Sequence, residues 1–185
     1  GGIKMQEFSV KKSALDFRTR EAYKMLRTNI EFSGGNNKVI FITSTTPSEG
    51  KSTVSFELAM SFAQNGMKTL LIDADTRKSV MKNRWRKGKI KYGLTHYLSG
   101  KNELTDVISV SDEPNFCMIF AGPVPPNPSE LVGNDRFAEF EFIAICESGL
   151  KSVAGLSFIK LYNVVSMATS FCISVFAIQL QATWI

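Results

Sequence analysis

The sequence is poor in the residues that build metal and disulfide frameworks. Cys117, Cys146 and Cys172 form an odd set with no CxxC pair, which argues against a disulfide scaffold or a zinc ribbon and leaves reduced thiols. His96 is the sole histidine. It lies in GLTHYLSG and reads as a surface or half-buried helix residue, not a base. The amino-terminal stretch GGIKMQEFSVKKSALDF has no apolar core of a secretory leader and no membrane span.

Acidic residues are missing in two places. Residues 77 to 91, RKSVMKNRWRKGKIK, hold eight Lys or Arg and no acid, and without those eight the formal net charge of +5 becomes −3. Basic character therefore belongs to one segment, expected as a solvated helix and loop. Its functional reading is a contact for anionic lipid headgroups, phosphate or an acidic partner. No recognition motif supports nucleic acid. Trp85, inside the run, is expected to pack, with a membrane-interface anchor as its other reading. The second gap begins after Glu147, and from Leu161 to Ile185 there is no charge of either sign. That stretch reaches the roughly 20 residues that cross a bilayer, yet Asn163, Gln179, Gln181 and many Ser and Thr dilute it. A tail foreign to the fold is the favoured reading.

What remains is an ordinary single-domain composition: 185 residues, 44% hydrophobic and 21% charged. REAYKMLRTNIEF (20 to 32) places Ala22, Met25, Leu26 and Ile30 near helical spacing, with Glu21, Lys24 and Arg27 on other faces, and SGGNN ends the helix. KVIFITS (38 to 44) is a short apolar run, as in a strand buried on both faces. TSTTPSEGKST follows, then the helical KSTVSFELAMSFAQNG and a second buried strand, MKTLLIDAD. Strand, loop, helix and strand in about forty residues make a βαβ unit. GLTHYLSGK and ELTDVISV read as short helices and NFCMIFAG as a third strand. PVPPNPSELVGNDRFAEFEF reads as a proline-rich loop entering a helix with Ser129 near its start. The expected fold is an α/β, P-loop NTPase-like parallel sheet flanked by helices, incomplete at its C-terminal end. The expected division is an N-terminal extension (1–19), the P-loop domain (20–145) and an aberrant apolar tail (146–185).

The loop carries the chemistry. Thr46, Pro47, Ser48, Glu49, Gly50, Lys51, Ser52 and Thr53 join a strand to a helix start, where backbone N–H groups and the helix dipole attract phosphate oxygens. Gly50 admits close backbone approach, Lys51 reaches the outer phosphates, and the Ser52 hydroxyl suits a Mg²⁺ shell. The usual first glycine is replaced by Thr45. LLIDADTRK runs Leu70, Leu71 and Ile72 into Asp73, Asp75 and Arg77 at the carboxyl end of a strand, where open α/β sheets bind ligands. In an extended strand Asp73 and Asp75 would point to opposite faces, one toward Mg²⁺ and one toward an acceptor.

EAYKMLRTN, STTPSEGKST, LLIDADTRK and AGPVPPNPSELVG fall in order over roughly residues 13 to 140. In these the chain resembles the cytoplasmic domain of bacterial tyrosine kinases that regulate capsule and exopolysaccharide synthesis. The partition and division-site ATPases are the nearest rivals, but their second loop lysine, four residues before the glycine, is Thr46 here. The resemblance implies ATP and Mg²⁺ as cofactors and transfer of the γ-phosphoryl group to tyrosine. It implies that Lys51 and Ser52 hold the β/γ-phosphates and metal, that Asp73 and Asp75 serve Mg²⁺ and activate the attacking hydroxyl, and that Arg77 is the basic position after them. It also implies that Glu21, Lys24 and Arg27 form a ring-assembly helix, with lysine replacing the family's middle arginine and losing its bidentate fork. Implied partners are a transmembrane polysaccharide co-polymerase adaptor, copies of the chain itself and protein tyrosine substrates. The implied location is cytoplasmic, peripheral to the inner membrane face.

Two family features are missing. No aspartate follows Asp135, so the third motif, an apolar strand ending in Asp-Thr-Pro-Pro, is lost. Tyr23, Tyr92, Tyr97 and Tyr162 form no cluster. Residues from about 141 onward are therefore expected to be frame-shifted or rearranged, and catalysis impaired. The alternatives are a partitioning-type ATPase switch and a catalytically dead, nucleotide-binding regulatory subunit.

Overall fold

The computed structural model describes residues 5–33, 39–43, 48–127, 130–131, 135–136 and 173–178. Among them run seven strands: β1 (Gln6–Val10), β2 (Val39–Thr43), β3 (Thr69–Ile72), β4 (Trp85–Gly88), β5 (Ile108–Ser111), β6 (Phe116–Ile119) and β7 (Ile173–Ile178). Four helices accompany them: α1 (Phe17–Phe32), α2 (Lys51–Gln64), α3 (Leu94–Leu98) and α4 (Leu104–Val107). The strands form one sheet in the order β2-β7-β3-β6-β5-β1-β4. It is mixed. β3 pairs with β6 in parallel, as does β1 with β5, while β7 is antiparallel to both β2 and β3. It follows that β2, β3, β6 and β4 share one direction.

Alternation along the central strands covers both faces. Leu71, Phe116 and Met118 face α2 in a core with Phe8, Val10, Phe56 and Phe62. Leu70, Ile72 and Ile119 point the other way, against Leu94, Tyr97, Leu98 and Val107. Two-sided burial is why LLI and FCMI read as continuous apolar runs. α2 is enclosed by the sheet and α1, so every residue from Ser55 to Ala63 is buried. Aromatic edges lock the first core: Phe56 meets Phe116 at 5.9 Å, and Phe8 and Trp85 both meet Phe120, at 5.3 and 5.4 Å. Trp85 thus packs, as expected.

Several expectations change. ELTDVISV is half helix and half strand, since α4 hands over to β5 at Ile108. The basic run is not a helix and loop. It forms a 3₁₀ turn (Met81–Arg84) and then β4, an edge strand in which Arg86, Lys87 and Gly88 are exposed. Charge on an edge strand discourages pairing with other chains. β1 lies inside the stretch expected as an N-terminal extension and pairs with β4 and β5. The slot between β2 and β3 is not open, because β7 from the expected tail fills it, with Ile173 opposite Thr43. α1 starts where Asp16 caps it, its carboxylate accepting from the Thr19 N–H at 2.8 Å. Its inward contacts are Tyr23 and Ile30, whereas Met25 and Leu26, expected inside, are 64% and 39% exposed. Ser129 and residues 137 to 172 lie outside the described residues.

Phe56, fully buried on the face of α2 that meets β6, anchors the first core. Phe56→Ala is expected to cost about 3–5 kcal/mol of stability, read as a lower urea midpoint. A midpoint within error of the unaltered chain would mean that α2 does not pack as described.

Candidate functional site

β2 and β3 run the same way, so the chain leaves both at the same edge of the sheet. At that edge β2 feeds the loop before α2, and β3 feeds the acidic turn. Ser48, with φ +66°, and Gly50, with φ +87°, take left-handed backbone conformations that bend the loop into the helix. α2 has no side-chain cap, and its first intrahelical bond runs from the Val54 N–H to the Gly50 carbonyl at 2.9 Å. The amides of Lys51, Ser52 and Thr53 precede that bond, so the helix start offers donors and a positive dipole end to an anion. Lys51 and Ser52 are half-buried and Thr53 is exposed. Glu49 is exposed in the same loop, while Thr46 and Pro47 lie outside the described residues.

β3 ends at Ile72, so Asp73 and Asp75 do not alternate across a strand as the sequence suggested. Both sit in the turn beyond it and both are buried, at 1% and 8% exposure. The Asp73 N–H donates to the Ile119 carbonyl at 2.9 Å, which ties the turn to β6. The Asp73 carboxylate accepts from the Ser79 hydroxyl and, at 3.2 Å, from the Asp75 N–H. Asp75 accepts from the Lys78 N–H at 2.9 Å. Burial pushes the Asp73 carboxyl up to about 6, against the Ser79 and Asp75 hydrogen bonds; the charge of Asp75 adds to the rise and that of Lys51 opposes it. Lys51 therefore feels Asp73 across the gap between loop and acidic turn. Arg77 is exposed.

Arg84 links these two parts, and only its charge was noticed in the sequence. Its guanidinium donates to Thr53 Oγ1 at 3.0 Å, to Ser13 Oγ at 2.7 Å and to Glu57 Oε1 at 3.3 Å, and lies 4.8 Å from the Phe56 ring centre. Ser13 also donates to the buried Glu57. Arg84 closes the segment that starts at Asp73, so this network clamps the acidic turn to the first turn of α2. Ser79 was missed as well, because nothing in a lone serine six positions after an aspartate marks it as a partner.

The expected assembly residues separate. Glu21 and Lys24 pair on the exposed face of α1 at 2.8 Å. Arg27 turns inward, donating to the Ser61 carbonyl at 2.9 Å and pairing with Glu31 at 3.5 Å, so it fastens α1 to α2.

A strand, phosphate-cradling loop, helix and acidic strand end are what a nucleotide needs, and residues 40–167 match the CobQ/CobB/MinD/ParA nucleotide binding domain. The chain belongs to that family. Within the CobQ/CobB/MinD/ParA family, its similar relatives carry the name tyrosine-protein kinase. It is 51% identical over 121 residues to tyrosine-protein kinase CpsD of Streptococcus agalactiae, covering 65% of this chain and 52% of that protein. It is 37% identical over 145 residues to tyrosine-protein kinase YwqD of Bacillus subtilis, covering 77% and 61%. Among solved structures, the kinase domain of the Escherichia coli tyrosine kinase ETK matches with a TM-score of 0.62 and 39% identity, over 68% of this chain and 49% of that one. The chain thus spans about half the length of the CpsD relative. Among the described residues no helix is long and apolar enough to cross a membrane.

Asp73 gives a pH dependence whose sign is fixed. The folded carboxyl keeps its proton to about pH 6, while the unfolded one titrates near 3.8, so the folded state holds more protons between those values. Stability in chelator-containing buffer should fall as pH rises through that window, by at most roughly 3 kcal/mol. Urea midpoints at both ends of the window, for the unaltered chain and Asp73→Asn, check this. Equal pH slopes in the two proteins would remove Asp73 as the cause.

Proposed function

We propose that this chain is the nucleotide-binding portion of an ATP-dependent protein-tyrosine kinase of capsular and exopolysaccharide biosynthesis. The observation that carries the reading is the pairing of an uncapped, glycine-led helix start bearing Lys51 with two buried carboxylates beside it. The names of the relatives support the tyrosine as acceptor.

The α2 amides and Lys51 bind the β- and γ-phosphates of ATP and neutralise charge as it moves toward the leaving oxygen. An alcohol oxygen from Ser52 and the carboxylate of Asp73 form the hard-oxygen donor set that suits Mg²⁺. Asp73 is buried with only a hydroxyl and an amide for hydrogen-bond partners, so a cation there has a charge to meet. Bound Mg²⁺ supplies charge stabilisation on the phosphoryl oxygens. Asp75 orients the tyrosine hydroxyl and takes its proton. The tyrosine oxygen bonds to the γ-phosphorus as the bond from that phosphorus to the bridging oxygen breaks, and ADP leaves. Arg77 stays exposed at the rim as a contact for acceptor or nucleotide.

Assembly with further copies and docking to a membrane adaptor belong to the same reading. The exposed Glu21, Lys24, Met25 and Leu26 on α1 support an assembly surface, and the exposed basic residues of β4 support a place against an anionic inner membrane face. Nucleic acid has no part in it. A second reading, an ATPase switch, is favoured by the MinD and ParA membership of the matched family.

One assay separates the readings: the chain with Mg²⁺ and γ-labelled ATP, followed by analysis of phosphotyrosine and free phosphate. Phosphotyrosine that disappears in Lys51→Ala is the expected result. Phosphate release without phosphotyrosine would replace the kinase by the switch. Nucleotide binding with neither product would leave a regulatory subunit.

A further inference from the structure

α3 and the proline-rich turn flank an open cavity of about 540 Å³ on the same edge of the sheet as the phosphate loop and the acidic turn. That volume lies in the range of small-ligand sites. The sequence singled out PVPPNPSELVG only as a family signature, and the site described above does not use it.

The cavity is rigidly built. The Leu94 and Thr95 N–H groups donate to the Phe120 and Ala121 carbonyls at 2.7 and 3.0 Å, fixing α3 to the chain leaving β6. Gly122, with φ +86°, presses against the Thr95 hydroxyl, and a Cβ there would overlap it. Pro123, Val124 and Pro126 form an exposed apolar wall on which two of three positions lack an N–H. Thr95, His96 and Lys101 also line the cavity.

Thr95 is 4% exposed, and its hydroxyl has no hydrogen-bond partner among the described residues. That hydroxyl is closed off against Gly122, so its unpaired state belongs to the packing of α3 on the turn. His96 accepts from the Gly93 N–H at Nδ1, at 3.1 Å, so Nε2 carries the proton of the neutral ring and is free to donate. Burial and the charge of Lys101 hold that imidazole below its usual value, keeping it neutral. Among the described residues the rim carries one cation, Lys101, and one anion, Glu130, which accepts from Asn127 at 3.0 Å. A lining with an apolar wall, neutral donors and balanced charge suits an extended peptide with an aromatic side chain better than a phosphate.

Position decides which peptide. Along the sheet the order is β2, β7, β3, β6, and β2, β3 and β6 share a direction. The phosphate loop, the carboxylates and the cavity therefore follow one another along one edge. At about 4.8 Å per strand, the strand leading to the cavity lies about 5 Å past the acidic strand and about 14 Å from the phosphate-loop strand. The cavity is on the far side of the carboxylates from the nucleotide, where an acceptor must enter for in-line attack.

We propose that the cavity between α3 and the proline-rich turn is the docking subsite of the acceptor peptide, holding an aromatic side chain next to the reacting tyrosine. The ring packs on the proline wall, while His96 Nε2 donates to a backbone carbonyl of the peptide. The proposal rests on the kinase reading above.

The test is fluorescence anisotropy with the full 185-residue chain and a fluorescein-labelled nonapeptide of tyrosine, glycine and serine. N-methylanthraniloyl-ADP is titrated in parallel. Val124, 66% exposed, can be changed without touching the core. Val124→Arg should weaken the peptide about tenfold and His96→Ala about fivefold, with nucleotide affinity unchanged in both. No peptide binding, or equal binding by all three proteins, overturns the proposal. So does joint loss of nucleotide, with the peptide displaced by it, because the cavity then holds the base. Failure of the labelled ADP to bind the unaltered chain sinks the phosphate-loop reading instead, and the peptide comparison still decides the cavity.

Discussion

A carboxylate taken out of water must be met by donors or by a cation, and Asp73 imposes that demand at the end of the central strand β3. Its solution shapes the neighbourhood. The chain turns at once, so that the Asp75 amide can reach back, and continues far enough for Ser79 to close on the other oxygen. The Met81 N–H then bonds Ser79 Oγ at 3.2 Å, which starts the 3₁₀ turn and delivers Arg84 to Thr53. Helix start, acidic turn and basic segment are one hydrogen-bonded unit because one buried charge needs partners. What remains unmet at Asp73 is positive charge, which Lys51 supplies only in part.

The parts that were legible in the sequence are those whose signal is local. The period of the apolar residues in β2, α2, β3 and β6, with a glycine at the helix start, marks the loop and its flanking elements. Where burial falls on polar residues the signal fails. β5 is buried at Ser109, which is fully enclosed, so its alternation is invisible in ISVS. β4 buries almost nothing, being an edge. β1 did carry a signal, Phe8 and Val10 two apart, but a short strand whose partners lie about a hundred residues away cannot be told from a tail. On α1 the apolar pattern pointed to Met25 and Leu26, while Arg27 bonding to Ser61 sets which face turns inward. The acidic pair was legible as chemistry but not as geometry, since a turn replaced the assumed strand.

Kinase and switch use the same loop and differ in what reaches the γ-phosphate. This chain's carboxylates come from a single turn after β3. β7 enters the same edge running the opposite way, so its first residue and not its last lies beside Thr43. No strand other than β3 therefore brings a carboxyl-terminal aspartate to this edge beside the phosphate loop among the described residues. The proline-rich turn after β6 is another element at that edge, which puts the proposed docking cavity next to the carboxylates.

β7 also sets a clock for the chain. β2 meets the rest of the sheet through a strand that begins at Ile173, 130 residues after its partner Thr43 in the register. Pairings this remote form late, because the intervening loop must close first. During folding α2 and β3 can collapse on β6 while β2 waits for residues 173–178 to pair. A partly folded chain therefore carries an assembled core and an unanchored loop before α2, exposed to chaperones and proteases until β7 docks.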